Sequence, residues 1–187
     1  MVSRDLLKAL AVTCELTRTS LSEDAARVMA ADLSRYPEEQ VLGALTRCRR
    51  EIRNHLTVAD VVARIDDGRP GPEQAWAMLP KSEAETVVWT DEMAQAYGVA
   101  APLIREGDLI AARMAFLETY RKIVLDARDR AQPPHWTPSL GTDPSLREGA
   151  LTEAVRLGRL PAAQAQALLP NFEPPAPSVL LMIESKD

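Results

Sequence analysis

Val41, Leu45, Cys48 and Ile52 follow one another at spacings of four, three and four residues. With 3.6 residues per turn, this spacing puts all four on one stripe, the pattern of a helix buried along one face. The same arithmetic recurs through the first part of the chain. Leu6, Leu7, Leu10 and Cys14 share a face behind Ser3, whose hydroxyl suits a helix N-cap. Ser20-Leu21-Ser22-Glu23 reads as a capping box opening a helix with Leu21, Ala25, Val28, Met29 and Leu33 on its apolar side. Pro37 suits the first position of the next helix, where its missing N–H would be unpaired anyway. Thr57-Val58-Ala59-Asp60 caps a short fourth helix with Val58, Val61, Val62 and Ile65 inward, and Asp66-Asp67-Gly68 ends it.

Arg69-Pro70-Gly71-Pro72 is the clearest break. Pro72 restarts a short helix carrying Trp76 and Leu79, and Pro80 stops it. Residues 81–88 read as a connector. Trp89-Thr90-Asp91-Glu92 begins a helical segment through Tyr97 that Gly98 interrupts. The longest helix is expected from Asp108 to Ala131, with Leu109, Ala112, Phe116, Tyr120 and Ile123 on one stripe and Ile110, Leu117 and Val124 on a second. Gln132-Pro133-Pro134-His135-Trp136-Thr137-Pro138 reads as an irregular loop, followed by two short helices near 144–157 and 161–169. One echo links the halves: GRPGPEQAWAMLPKSE at 68–83 and GRLPAAQAQALLPNFE at 158–173 share Gly, Arg, Gln, Ala, Leu, Pro and Glu in register.

The fold class expected is therefore all-α. Residues 1–80 form an N-terminal four- to five-helix bundle, and residues 81–170 form a second helical unit around one long helix. Residues 171–187 are a proline-rich tail ending in an apolar segment. Composition agrees, since apolar residues make up 46% of the chain and aromatic residues only 4%. A core of Ala, Leu, Val and Met favours close helix packing, and long alternating β-branched runs are missing.

Catalytic signatures are not found. There is no phosphate-cradling GxxxxGK[ST] loop, no CxxC or HxxxH spacing, and no nucleophile elbow, so neither cofactor nor metal is expected. Glu38/Glu39 and Asp66/Asp67 sit at a helix start and a helix end, and the first pair suits the N-terminal dipole. Cys14 and Cys48 fall on apolar stripes and read as buried thiols. Met1-Val2-Ser3-Arg4-Asp5 lacks the apolar core of a signal peptide. No apolar run approaches the roughly 20 residues that span a bilayer. The expected setting is the cytoplasm, with no membrane partner.

What remains is binding. Arg47-Cys48-Arg49-Arg50-Glu51-Ile52-Arg53 points Cys48 and Ile52 inward and displays Arg47, Arg50 and Arg53 together. Cations at a helix C-terminus already complement the dipole, yet three guanidinium forks also suit phosphate or an acidic partner. The formal net charge of −5 opposes wholesale coating of nucleic acid and leaves room for a weaker local contact. Trp136, flanked by prolines, is a candidate anchor in a loop. Val179, Leu180, Leu181, Met182 and Ile183 form an apolar segment that docks on its own chain or on a partner.

The first third carries a resemblance. Leu33-Ser34-Arg35-Tyr36-Pro37-Glu38-Glu39-Gln40-Val41-Leu42-Gly43-Ala44-Leu45, the basic stretch, and then Leu56-Thr57-Val58-Ala59-Asp60-Val61-Val62 together resemble the small phage-encoded loaders of DnaB-type replicative helicases. Leu56 stands where that family often has proline. Val88-Trp89-Thr90-Asp91-Glu92-Met93 and Gly107-Asp108-Leu109-Ile110-Ala111-Ala112-Arg113-Met114-Ala115-Phe116 are similar to uncharacterised phage and prophage proteins. The resemblance implies a non-enzymatic replication accessory protein in the bacterial host cell, a loader or inhibitor that binds a hexameric helicase. By that analogy Arg47, Arg50, Arg53, Trp136 and residues 179–183 are the contacts to test. Two alternatives stand beside it: a nucleic-acid-binding accessory protein using the Arg47–Arg53 surface, and a phage structural or assembly protein.

Overall fold

The computed structural model describes residues 3–169 and Phe172. The chain is mainly helical: α1 (Arg4–Leu16), α2 (Glu23–Leu33), α3 (Glu38–Glu51), α4 (Val58–Ala63), α5 (Pro72–Ala77), α6 (Asp91–Arg105), α7 (Leu109–Asp129), α8 (Arg147–Arg156) and α9 (Ala162–Leu168). Two short strands, β1 (Val87–Thr90) and β2 (Trp136–Ser139), and a 3-10 turn at Pro144–Leu146 complete it. The chain separates into two compact units, one from Met1–Arg69 with Arg121–Pro134 and the other from Pro70–Tyr120 with His135–Asp187. This division differs from the consecutive stretches 1–80 and 81–170, because α5 belongs to the second unit and the C-terminal part of α7 to the first.

In the first unit, α1 to α4 close on one apolar core. Leu6, Leu10, Leu33, Val41, Leu45, Cys48, Val61, Val62 and Ile65 are all buried in it. Ser3 caps α1 by accepting from the Leu6 amide, and Thr57 and Asp60 form a complete capping box on α4. Two expected starts shift. Ser22, not Ser20, caps α2, accepting from the Ala25 amide at 3.2 Å. Met29, Ala30 and Leu33 face the core, while Ala25 is exposed and Val28 is 62% exposed, against the expected stripe. Pro37 is the N-cap of α3, with ψ at 130°, rather than its first helical residue.

Four helices end in the same motif. The amide one residue past the cap bonds two residues into the last turn, and the next amide bonds one residue further back. At α6 and α8 the left-handed residue is Gly107 or Gly158; at α1 and α7 it is Arg18 (φ 55°) and Ala131 (φ 53°).

Within the first unit, the last stretch of α7 is held by a buried charge cluster. Arg128 grips Asp67 with both ends of its fork, Nε to Oδ2 at 3.1 Å and Nη2 to Oδ1 at 3.1 Å. Arg69 adds Nη1 to Oδ2 at 2.5 Å and gives another hydrogen bond to the Gln132 carbonyl. The Tyr36 hydroxyl donates to the Arg128 carbonyl at 2.8 Å. Burial pushes the Asp67 carboxyl up, but the hydrogen bonds and charges of Arg128 and Arg69 outweigh it and hold the group below its ordinary value.

The second unit corrects two expectations. The connector at 81–88 and the loop at 132–138 meet as an antiparallel pair, with Val87 opposite Ser139 and Thr90 opposite Trp136. Thr86 to Thr90 is a β-branched and aromatic cluster, the composition that suits a pleated strand. A lone pair of strands is marginal in water; this one is supported by Val88, which packs with Leu151, Ala154, Leu160 and Ala165. Nor does Gly98 interrupt a helix, since α6 runs through it and through Pro102. Pro102 crowds the backbone four residues earlier, and there it meets Gly98. Trp76, Phe116 and Tyr120 form an aromatic row, and the Tyr120 hydroxyl donates to the Pro70 carbonyl. The expected stripes on α7 are buried at Ala112, Phe116, Leu117, Tyr120 and Val124 and half-buried at Ile123, while Leu109 and Ile110 are 60% and 79% exposed. The echo at a spacing of 90 residues survives in structure: Gly68 and Gly158 both take positive φ, and Ala75 and Ala165 are both fully buried in short helices.

Candidate functional site

The arginines from 47 to 53 do not act as one group, and Arg53 lies past the end of α3, in the loop after the extended Ile52. Arg47 Nη2 pairs with Asp66 Oδ2 at 2.9 Å and Nη1 donates to the Arg64 carbonyl, so its charge is met within the fold. Arg49 turns inward, bonding Thr13 Oγ1 at 3.0 Å and Thr46 Oγ1 at 2.8 Å, and so ties α3 to α1. Arg50 and Arg53 are exposed, and among the described residues neither meets a carboxylate. Glu51, the acidic neighbour, is taken by Arg64 Nε at 2.8 Å.

The fold brings other residues to Arg50 and Arg53. The α3–α4 loop lies against the α1–α2 loop: the His55 amide donates to the Thr17 carbonyl at 3.1 Å, and the Leu56 amide to Thr19 Oγ1 at 2.7 Å. That clasp brings Arg18 and His55, both exposed, to the edge that bears Arg53. Both have left-handed backbone, φ 55° and 48°. Sequence reasoning missed Arg18 because it stands alone, 35 residues before Arg53, with no local pattern to single it out.

Trp136 does not stand in a loop. It lies on β2, half-buried against the core of the second unit, with the Arg159 guanidinium carbon 4.6 Å from its ring centroid. Burial lowers the Arg159 pKa from its ordinary value. Residues 179–183 lie outside the described residues.

Two concavities belong to the first unit. One of about 100 Å³ opens over the Asp67 cluster, beside Tyr36, Gln40, Ile65 and Pro133. The other, a groove of about 340 Å³ between α1 and α2, is lined by Leu7, Leu10, Ala11, Cys14, Leu21 and Ala26 with Glu15, Thr19 and Ser20 at its edge. Cys14 and Cys48 are buried free thiols, and burial pushes both pKa values up. In native protein Cys48, with no exposed surface, should resist Ellman's reagent and react only on unfolding, whereas Cys14 borders the groove; rapid labelling of a Cys14→Ser variant before the melt would contradict the burial of Cys48.

Among the described residues no group of three or more His, Cys, Asp or Glu side chains is placed to hold a metal, and no helix is long and apolar enough to cross a membrane. No protein-family profile, no curated protein and no solved structure matches the chain.

Proposed function

We propose that this chain is a non-enzymatic accessory protein of phage or prophage DNA replication, working in the host cytoplasm, and that its first unit binds a hexameric DnaB-type helicase. The observation that supports binding is the groove between α1 and α2, whose rim residues Leu7 and Leu21 are 40% and 37% exposed. An open apolar groove between two helices suits the apolar edge of a partner helix, recognised by side chains three and four residues apart. The helicase is named as partner because the groove belongs to the same unit whose residues 33–62 resemble the loaders. Binding rather than catalysis fits the use made of the strongest polar groups: Asp67 is engaged by two arginines, and Arg47 and Arg64 are paired with carboxylates.

The test is co-migration of the full chain with a purified DnaB-type hexamer on a sizing column, followed by titration. Leu7→Asp and Leu21→Asp should each weaken the complex about tenfold or more, as loss of a central apolar contact does. A hexamer that never co-migrates with the protein, or that binds both variants as well as the parent, removes the reading.

A further inference from the structure

The clasped edge of the first unit has properties that helicase binding does not use. Arg18, Arg50 and Arg53 stand there exposed, and among the described residues none has a carboxylate partner, although the protein as a whole is acidic. The carboxyl ends of α1 and α3 both lead into this edge. Their partial negative charge makes arginine favourable nearby, at roughly 0.3–1 kcal/mol each, without neutralising it. Arg18 is the more telling residue. It occupies the left-handed position of the α1 terminus, donating to the Glu15 carbonyl at 3.1 Å while the Thr19 amide donates to the Cys14 carbonyl at 2.8 Å. Glycine adopts that conformation without strain, whereas a side chain there is disfavoured. His55, across the clasp, is held in the same conformation.

We propose that Arg18, Arg50 and Arg53, with Asn54 and His55 beside them, form a contact for the phosphate backbone of nucleic acid. The chemistry favours a polyanion over a protein. The exposed side chains of these two loops include the guanidinium, amide and imidazole groups of Arg18, Arg53, Asn54 and His55, donors that hold phosphate oxygens, with the hydroxyls of Ser20, Ser22 and Thr57 and the groove-rim Leu21 beside them. The centre of a protein interface is instead depleted in charge and rich in aromatic and Met side chains. Without a groove-reading helix or strand at the edge, contact is made irrespective of base sequence. Arg47 is set apart from the three, because it pairs with a carboxylate, Asp66, at 2.9 Å.

Anisotropy titration of the full chain with a labelled oligothymidine strand and with a duplex of mixed sequence tests this. Three phosphate contacts predict a log K against log salt slope of about −2 to −3, so affinity falls roughly thirtyfold for a fourfold rise in salt. Arg18→Gln, Arg50→Gln and Arg53→Gln should each flatten the slope by about one, and Arg47→Gln should leave it unchanged. All four sites are on the surface, and a thermal melt of each variant checks that the fold is kept. Preference for the single strand or the duplex identifies the natural form, and binding to either supports the proposal. Binding without salt dependence, a triple variant that binds like the parent, or an equal loss with Arg47→Gln would each overturn it. Competition by polyglutamate as effective as by the oligonucleotide would also overturn it, assigning the edge to an acidic protein.

Discussion

Asp67→Asn should cost the protein about 3–5 kcal/mol, because removing one member of a buried ion pair strands its partners in a poorly solvated site. The burial is plain in the side chains of Asp67, Arg69 and Arg128, which are 11%, 0% and 16% exposed. Both carboxylate oxygens accept from Arg128 and both accept from Arg69, one of them from its backbone amide. An amide keeps one acceptor and turns a donor toward guanidinium groups that can only donate. For a chain of this size each kcal/mol is worth roughly 2–4 °C, so the melting temperature should drop by about 10 °C. The pH dependence has a defined sign. The folded-state pKa of Asp67 is depressed, so its contribution is fully present above the ordinary carboxylate value of about 3.9. As acid protonates first the unfolded chain and then the folded one, that contribution is lost. The gap between parent and variant in urea unfolding should stay constant from neutral pH to about pH 5 and narrow below about pH 4. A gap under about 1 kcal/mol at neutral pH would mean that water reaches the cluster and the pairing is worth no more than a surface bridge.

Gly141→Ala should destabilise the second unit by about 3 kcal/mol, the upper range for forcing atoms into a filled site. A methyl group at this position would fall against the Ala84 carbonyl and the Glu85 backbone, neither of which can rotate away as a side chain could. Gly141 is also held in place, its amide donating to Thr86 Oγ1 at 2.9 Å and its carbonyl accepting from Arg147 at 3.1 Å. The strand pairing lies immediately beyond, so the clash should be read out by the near-ultraviolet signal of Trp89 and Trp136, which stand on that pair opposite Thr137 and Thr90. Gly43 supplies the contrast. It sits inside α3 with nothing within 4 Å of an added methyl, and Gly43→Ala should stabilise the protein by about 0.5–1 kcal/mol through helix propensity alone. If both substitutions shift the urea midpoint in the same direction, the close approach of residues 84 and 141 is wrong.

The elements written in local spacing are legible in the sequence alone. The stripe of α3, the Ser3 cap, the Thr57–Asp60 box, the Pro72 start of α5 and the long α7 each depend on residues within one or two turns of one another. Where two local solutions are close, tertiary packing chooses. Ser20 and Ser22 could each cap α2, and burial of Ala30 and Leu33 selects Ser22. Gly98 reads as an interruption, yet α6 runs through it unbroken from Asp91 to Arg105.

The candidate site divides the same way. Arg50 can be read from the chain, since helical periodicity alone turns it away from Cys48, whereas α3 ends at Glu51 and Arg53 is displayed by the loop that follows. That Arg47 pairs with Asp66, that Arg18 joins the edge, and that Trp136 lies on a strand all follow from contacts between residues 19, 35 or more positions apart. Sequence by itself determined which segments are helical and which faces are apolar, because those depend on neighbours a turn away. Only the tertiary structure decided which charges are spent and which stay available, because a guanidinium finds its carboxylate through space.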